Sequence, residues 1–355
     1  MALFSRRGKR SDATPTPDET DAAPSAEPAD AGSPAASAEP VPEVNISVSS
    51  FGGLGAGAPT APAAPVAEEP PVVDAPPVTR PRPPAEAPEQ TDTVPGLRDN
   101  VLLREALKTL GDDPTPTELL RVGRQVLQNH LFLRVKGDAR TLLSEGKELP
   151  LAVLRNGDDQ WVLAFSSGEA LQRAFQEDGD TDTSAMGQPV MAVLSHVLAG
   201  SYAGLIIDPS SAPARLMLPR DLIERMVQQA DPKLALKTLL VAPRTPETPG
   251  EIARAMIDAP LFVAVNKAEP DGSGEERLGV AETRDANGGR ILELYTHPLE
   301  VVAMGREDQP MPFTAKQLAG ALAENHGLSG VLLDAAGPWI LLDREALAPV
   351  LALAD

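Results

Sequence analysis

The sequence predicts an α+β protein: two tandem homologous domains, each a small mixed β-sheet flanked by helices, behind a long disordered acidic segment rich in Pro and Ala. Three observations predict it. A strand–turn–strand–helix unit at Leu149–Leu171 (LPLAVLRNGDDQWVLAFSSGEAL) has a counterpart about 130 positions later, at Arg277–Val301 (RLGVAETRDANGGRILELYTHPLEV). Similar strand and helix patterns surround both copies in the same order. Composition changes near residue 95: residues 1–95 hold 19 of the 37 prolines, and no Lys or Arg lies between Ser11 and Thr79, against 11 Asp or Glu. Such a stretch cannot bury enough apolar area to offset chain ordering, which costs roughly 1–2 kcal/mol per residue. The expected divisions are 1–95, 96–231 and 232–355.

Within the tail, Val44, Ile46, Val48 and Phe51 alternate with polar residues over strand length. This predicts a linear motif at 44–57 that adds as an edge strand to a partner or to the protein's own sheet; the alternative is a chance cluster in a linker. The glycines that follow have neither the preceding strand nor the following helix of a dinucleotide loop. Pro81–Pro84 reads as a stiff spacer.

The ordered region is expected from Pro95. Leu97–Leu110 is helical and stops at Gly111-Asp112-Asp113-Pro114. Thr115-Pro116-Thr117-Glu118 forms a capping box with Pro at the first helical position. It opens a helix carrying Leu119, Val122, Val126 and Leu127. Leu131–Val135 is a strand and 136–149 a loop. In the central unit, Asn156-Gly157 tolerates the positive φ of a hairpin turn. Trp161–Phe165 is the second strand, and Ser166 with Glu169 makes a second capping box. Asp178, Asp180 and Asp182 begin like a calcium loop, but Thr183 and Pro189 stand where it needs Gly and Glu, which leaves an exposed acidic loop.

A helix through Val190–Leu198, strands at Gly204–Ile207 and Ala214–Leu218, and a helix over Pro219–Gln228 complete the first copy. The second repeats the order: a helix through Ile252–Ile257, a strand at Leu261–Val265, a turn at Asp285–Gly289 and a strand at Ile291–Tyr295. Thr296 is its expected N-cap. A Thr314-capped helix bears Leu318 and Leu322, strands run Gly330–Leu333 and Trp339–Leu342, and a last helix bears Leu347, Val350 and Leu351.

This pattern resembles the SseB family, named for enhanced serine sensitivity, in its N-terminal domain, present twice. The resemblance is carried by Leu131-Phe132-Leu133, Leu149-Pro150-Leu151, Trp161–Phe165 with Ser166-Ser167-Gly168-Glu169-Ala170-Leu171, and Gly204-Leu205-Ile206-Ile207-Asp208-Pro209 ahead of Leu218-Pro219-Arg220-Asp221-Leu222. The second copy departs from it: Tyr295 replaces the Phe, Glu300 is displaced relative to Glu169, and Asp334-Ala335 replaces Asp-Pro. The resemblance implies a fold over residues 98–355 and no catalytic residues.

Charge and composition bound the function. The net charge is −20, of which residues 1–95 carry −8. Phosphate contacts need clustered Lys and Arg, so nucleic acid is not an expected partner. Without Cys there is no thiolate nucleophile, disulfide or Cys-type zinc site, which suits a cytoplasmic setting. No run approaches the ~20 apolar residues of a membrane span. His130, His196, His297 and His326 lack an i,i+4 pair and share no position between the copies, so no metal or catalytic role is expected of them. Phe132, Trp161 and Phe165 are expected in the core. Asp208 and Asp334 occupy equivalent strand ends, where a shared ligand or partner site is weighed against a turn in which the carboxylate bonds its own backbone. The expected function is a non-catalytic cytoplasmic protein-interaction or adaptor protein. It uses no cofactor or metal, and its partner is another protein. The alternative is a small-ligand sensor with its site between the repeats.

Overall fold

The computed structural model describes residues 83–354 apart from 181, 268–277 and 286. Val44, Ile46, Val48 and Phe51 lie outside the described residues. Helices α1 (Val101–Leu107) and α2 (Pro116–Val126) open the first repeat, followed by β1 (His130–Lys136), α3 (Ala139–Ser144), β2 (Val153–Asn156) and β3 (Asp159–Phe165). Then come α4 (Gly168–Asp178), β4 (Thr183–Pro189), α5 (Val190–Ala199), β5 (Gly204–Ile207), β6 (Leu216–Pro219) and α6 (Arg220–Gln229). The second repeat runs α7 (Ala235–Val241), α8 (Thr248–Ala255), β7 (Leu261–Lys267), β8 (Leu278–Val280), β9 (Glu282–Arg284) and β10 (Arg290–Tyr295). It closes with α9 (Pro298–Ala303), β11 (Gln309–Phe313), α10 (Ala315–Glu324), β12 (Leu328–Leu333), β13 (Ile340–Asp343) and α11 (Ala348–Leu351).

Each repeat builds a mixed sheet of matching order, β4-β1-β3-β5-β6 and β11-β7-β10-β12-β13. One adjacent pair in each is parallel, β3 with β5 and β10 with β12; its crossover carries a helix, an edge strand and a second helix, as parallel pairing requires. Alternate side chains face opposite sides. Leu131, Leu133, Val162, Ala164, Leu205 and Ile207 enter a core closed by α1, α2, α5 and α6. Phe132 and Phe165 face the other side, under α4. The second sheet has the same two layers, with Val263, Leu294 and Leu333 on one side and Phe262, Tyr295 and Leu332 on the other.

Local chemistry places most elements. Thr115 caps α2 in a full capping box with Glu118, and Thr314 caps α10 with Gln317. The β2–β3 hairpin closes through Gly157-Asp158, one residue later than expected: Asn156 pairs with Asp159 and Gly157 alone in the turn has positive φ, +60°.

Four further expectations are corrected. Residues 136–149, expected as a loop with at most a short turn, hold a six-residue helix: Asp138 accepts from Arg140 N and Thr141 N and nucleates α3. Ser166 does not cap α4; Ser167 does. Likewise His297, not Thr296, caps α9. Residues 83–95, expected to belong to the tail, pack against both repeats: the Pro83 carbonyl accepts from Trp339 Nε1 (2.8 Å) and that of Ala85 from Trp339 N (3.0 Å). The arm then crosses to the first repeat, where Val94 packs on Gly168 so closely that a Cβ there would lie 2.7 Å from the Val94 Cβ.

Candidate functional site

In open sheets with parallel strands, ligands favour the crevice beyond the strands' carboxyl ends. Here that position, in both repeats, carries the two aspartates singled out from the sequence. Asp208 follows β5 and Asp334 follows β12, with φ of +54° and +52°. Each carboxylate reaches across to the end of the neighbouring parallel strand. Asp208 accepts from Ser166 N at 2.7 Å and from Ser166 Oγ at 2.5 Å. Asp334 accepts from Thr296 N at 2.8 Å and from Thr296 Oγ1 at 2.6 Å. The two clamps are the same structure made twice. The carboxylates bond a neighbouring strand, not their own turns, and this is why Ser166 and Thr296 are unavailable as caps.

A hydroxyl on a carboxylate meets the first requirement of an activated nucleophile. These hydroxyls are closed off, however: Ser166 has no exposed surface and Thr296 is buried. Burial pushes the Asp208 carboxyl up to about 6, against the opposing hydrogen bonds from Ser166.

The crevice in front of each clamp is filled from elsewhere in the chain. In the first repeat the arm fills it. Asp99 accepts from Gly168 N at 3.1 Å and Thr93 Oγ1 from Glu169 N at 2.9 Å, so two orphan amides of α4 are satisfied. Arg104 of α1 closes on Asp99 at 2.6 Å.

In the second repeat the filling comes from the first. Arg124 of α2 donates through Nη1 to Glu300 Oε2 (2.7 Å) and to the Gly337 carbonyl (2.8 Å), and through Nη2 to the Ala336 carbonyl (2.9 Å). Lys237 of α7 pairs with Glu300 from the other side and lies 3.5 Å from Asp334 Oδ2. The buried pair Leu103 and Leu107 on α1 matches Leu236 and Leu240 on α7, which places Lys237 where the first repeat has Arg104.

The second locus is thus a buried charge cluster joining the repeats. Burial would raise Glu300, but Arg124 and Lys237 together outweigh it, and the carboxyl titrates below its ordinary range. Asp334 is displaced upward by burial, offset in part by Lys237 and reinforced by the Glu300 charge. His297 completes the cluster. Its Nδ1 accepts from Leu299 N (3.1 Å), so Nε2 carries the proton and donates to the Met226 carbonyl of the first repeat (3.1 Å). Burial, and after it the charge of Lys237, hold His297 down at about 4. The cleft between the repeats is closed by these contacts: the cavity lined by Lys237, Thr296 and His297 measures about 10 Å³. That cavity is too small for a metabolite-sized ligand.

The acidic loop is also structural. Asp178 forms a forked pair with the buried Arg134, which stacks on Phe175 at 4.7 Å. Among the described residues no group of three or more His, Asp and Glu could hold a metal, and no helix is long and apolar enough to cross a membrane.

Two tandem units, each built on the same sheet and clamp, agree with what a scan of family models finds. The SseB protein N-terminal domain matches residues 103–225 and again 235–349. The chain belongs to the SseB family. Both copies of the SseB domain carry a strand-end aspartate on a Ser or Thr hydroxyl, whereas His297 and Glu300 stand where the first repeat has Ser167 and Ala170. No curated protein and no solved structure matches the chain.

Proposed function

We propose that this SseB-family chain is a non-catalytic interaction protein, and that its docking surface is the half-covered face of the first sheet. The observation that carries this reading is an asymmetry between the repeats. On the α4 side of the first sheet, α4 packs on Phe132 and Phe165, with Leu163 and Ala185 beside them. Leu154, paired with the half-buried Trp161, is 48 % exposed, and Met217, paired with Ile206, is 49 % exposed. In the second sheet the position of Trp161 is taken by Ile291, which is buried, and that of Leu154 by Thr283, while Leu341 in the position of Met217 is also exposed, so the asymmetry lies at Trp161 and Leu154. Apolar side chains gathered on one face beside polar surroundings mark interaction sites.

The chain's charge of −20 selects the partner's chemistry: a protein surface with an apolar contact ringed by Lys and Arg. The crevices beyond the parallel strands, where catalysis would be sought, are occupied by the chain's own Asp99 and Arg124, which supports a non-catalytic role.

The test is retention of a stoichiometric partner by the full-length protein and by Leu154→Asp and Met217→Asp. Both side chains are half exposed, so each variant should keep its unfolding midpoint. Retention by the wild type that weakens with salt and disappears in both variants is expected. Equal retention by all three proteins would reject this surface. A chain beginning at Arg82 preserves the arm and lacks Val44–Phe51; loss of the partner there would assign docking to the tail motif.

A further inference from the structure

The first repeat contains a cavity of about 480 Å³ on the opposite side of its sheet from that docking face, lined by Leu133, Leu149, Leu151, Met186, Val193 and Tyr202, with Glu148, Gln188 and His196 around it. It exists because β1 and β2 diverge. β3 pairs with β2 along its first half and with β1 over only two residues at its end, while β1 follows β4 for seven. Residues 148–151 bridge the gap, with Leu151 opposite Val135. The floor is apolar: Leu133 and Val193 are buried and Leu151 and Met186 half-buried.

One wall is held in place by the backbone. Arg220 donates to the carbonyls of Val197 and Gly200, each at 2.8 Å, and fixes the end of α5. Gly200 lets the Tyr202 ring lie across that end, since a Cβ there would meet the ring at 2.6 Å. The His196 and Tyr202 rings then stand 5.6 Å apart.

The duplicate provides a control. Gln188 pairs with Leu131 as Phe313 pairs with Leu261, and Phe313 packs into the second core. The buried spacing of α5 (Val190, Val193, Leu194, Val197) matches that of α10 (Ala315, Leu318, Ala319, Leu322), which places Ala321 where the first repeat has His196. Gln188 and His196 are thus particular to the first repeat.

We infer that this cavity is a binding site for a small amphipathic amine: an aromatic or aliphatic body on the floor, and an ammonium at Glu148. Its volume lies in the range of small-molecule sites, roughly 300–1,000 Å³, and its mostly apolar lining with a few convergent polar groups is their common pattern. Glu148 is the one carboxylate in the lining, so it sets the sign of the ligand's charge.

The experiment is saturation-transfer NMR on the full-length protein with three probes of similar size: phenethylamine, 2-phenylethanol and 3-phenylpropionate. Phenethylamine should bind about two- to fivefold more tightly than the alcohol at low salt, the range of an exposed ion pair, and the carboxylate most weakly. Ala192→Trp, on an exposed position of α5 at the cavity, should abolish binding of the first two with an unchanged unfolding midpoint. Glu148→Gln should remove the preference for the amine and leave the alcohol bound, whereas Glu177→Gln, outside the cavity, should leave that preference intact. Saturation of none of the probes at millimolar concentration, or binding that survives Ala192→Trp, would overturn the site. A preference for the amine that survives Glu148→Gln would overturn the assignment of the ligand class.

Discussion

At the scale of single residues, the strand-end aspartates show what a sequence can and cannot convey. Asp208 and Asp334 stand out because they recur at equivalent places, yet their partners, Ser166 and Thr296, lie 42 and 38 positions away. Local spacing assigned those hydroxyls to helix caps; the sheet's parallel pairing assigns them to the aspartates. Two buried groups now pull stability in opposite directions over one pH range. Asp208 binds its proton more tightly folded (about 6) than unfolded (3.8), so its contribution falls as pH rises through that interval. His297 binds its proton less tightly folded (about 4) than unfolded (6.5), so its contribution falls as pH drops through that interval. Each is worth about 3 kcal/mol at most, and together they nearly cancel. Asp208→Asn should therefore gain on the wild type as pH rises from 4 to 7, and His297→Asn, which keeps a capping side chain, should gain as pH falls. Denaturant midpoints against pH for the three proteins check both signs; parallel curves would mean that neither group titrates as described.

At the scale of elements, the helices and strands with strong local signals were legible, edge strands β6 and β13 among them, and the edge strands β4 and β11 were not. Thr115 with Glu118, Thr314 with Gln317, and the alternation in Trp161–Phe165 predict the elements found. Edge strands β4 (TSAMGQP) and β11 (QPMPF) lack alternation and contain Pro, with Gly in β4; they are strands because β1 offers an edge along its whole length and β7 over Leu261–Val265. The arm at 83–95 was hidden for a related reason. Its proline-rich composition has no period, and it is held by the nearby Asp99 and by Trp339 and Gly168 in distant parts of the chain. The reassigned caps can be told apart by mutation. Ser167→Ala removes an N-cap and should cost about 1 kcal/mol at any pH. Ser166→Ala takes a donor from a buried carboxylate and should cost about 1–3 kcal/mol, more at pH 7.5, where Asp208 is ionised, than at pH 5. Equal pH dependence in the two variants would contradict the clamp.

At the scale of the whole molecule, the duplication was readable from the sequence but the joint between the copies was not. A repeat announces itself by likeness, and the joint rests on pairings that likeness does not reveal: Arg124 matches Arg254 and Lys237 matches Arg104, yet it is Arg124 and Lys237 that meet Glu300, and Glu300 and His297 stand where the first repeat has Ala170 and Ser167. Their separation in sequence, 176 positions for Arg124 and Glu300, leaves no local pattern to read. Physically the joint is a set of buried charges that are satisfied only when both repeats are folded and docked. Removing one partner of such a set strands the others without water, at a cost of about 3–5 kcal/mol, far more than an exposed pair. Arg124→Met keeps most of the side chain's packing and removes its charge from Glu300 and from the carbonyls of Ala336 and Gly337. Because Arg124 belongs to the first repeat and its acceptors to the second, the loss falls on the coupling between the repeats. The wild type should unfold in one transition, and Arg124→Met in two, with the second repeat melting first because its carboxylate is the group left short of charge. Calorimetry of the full chain reads this directly. A single transition displaced by less than 1 kcal/mol would show that the apolar contact of α2 with α9, and not the charge cluster, couples the repeats.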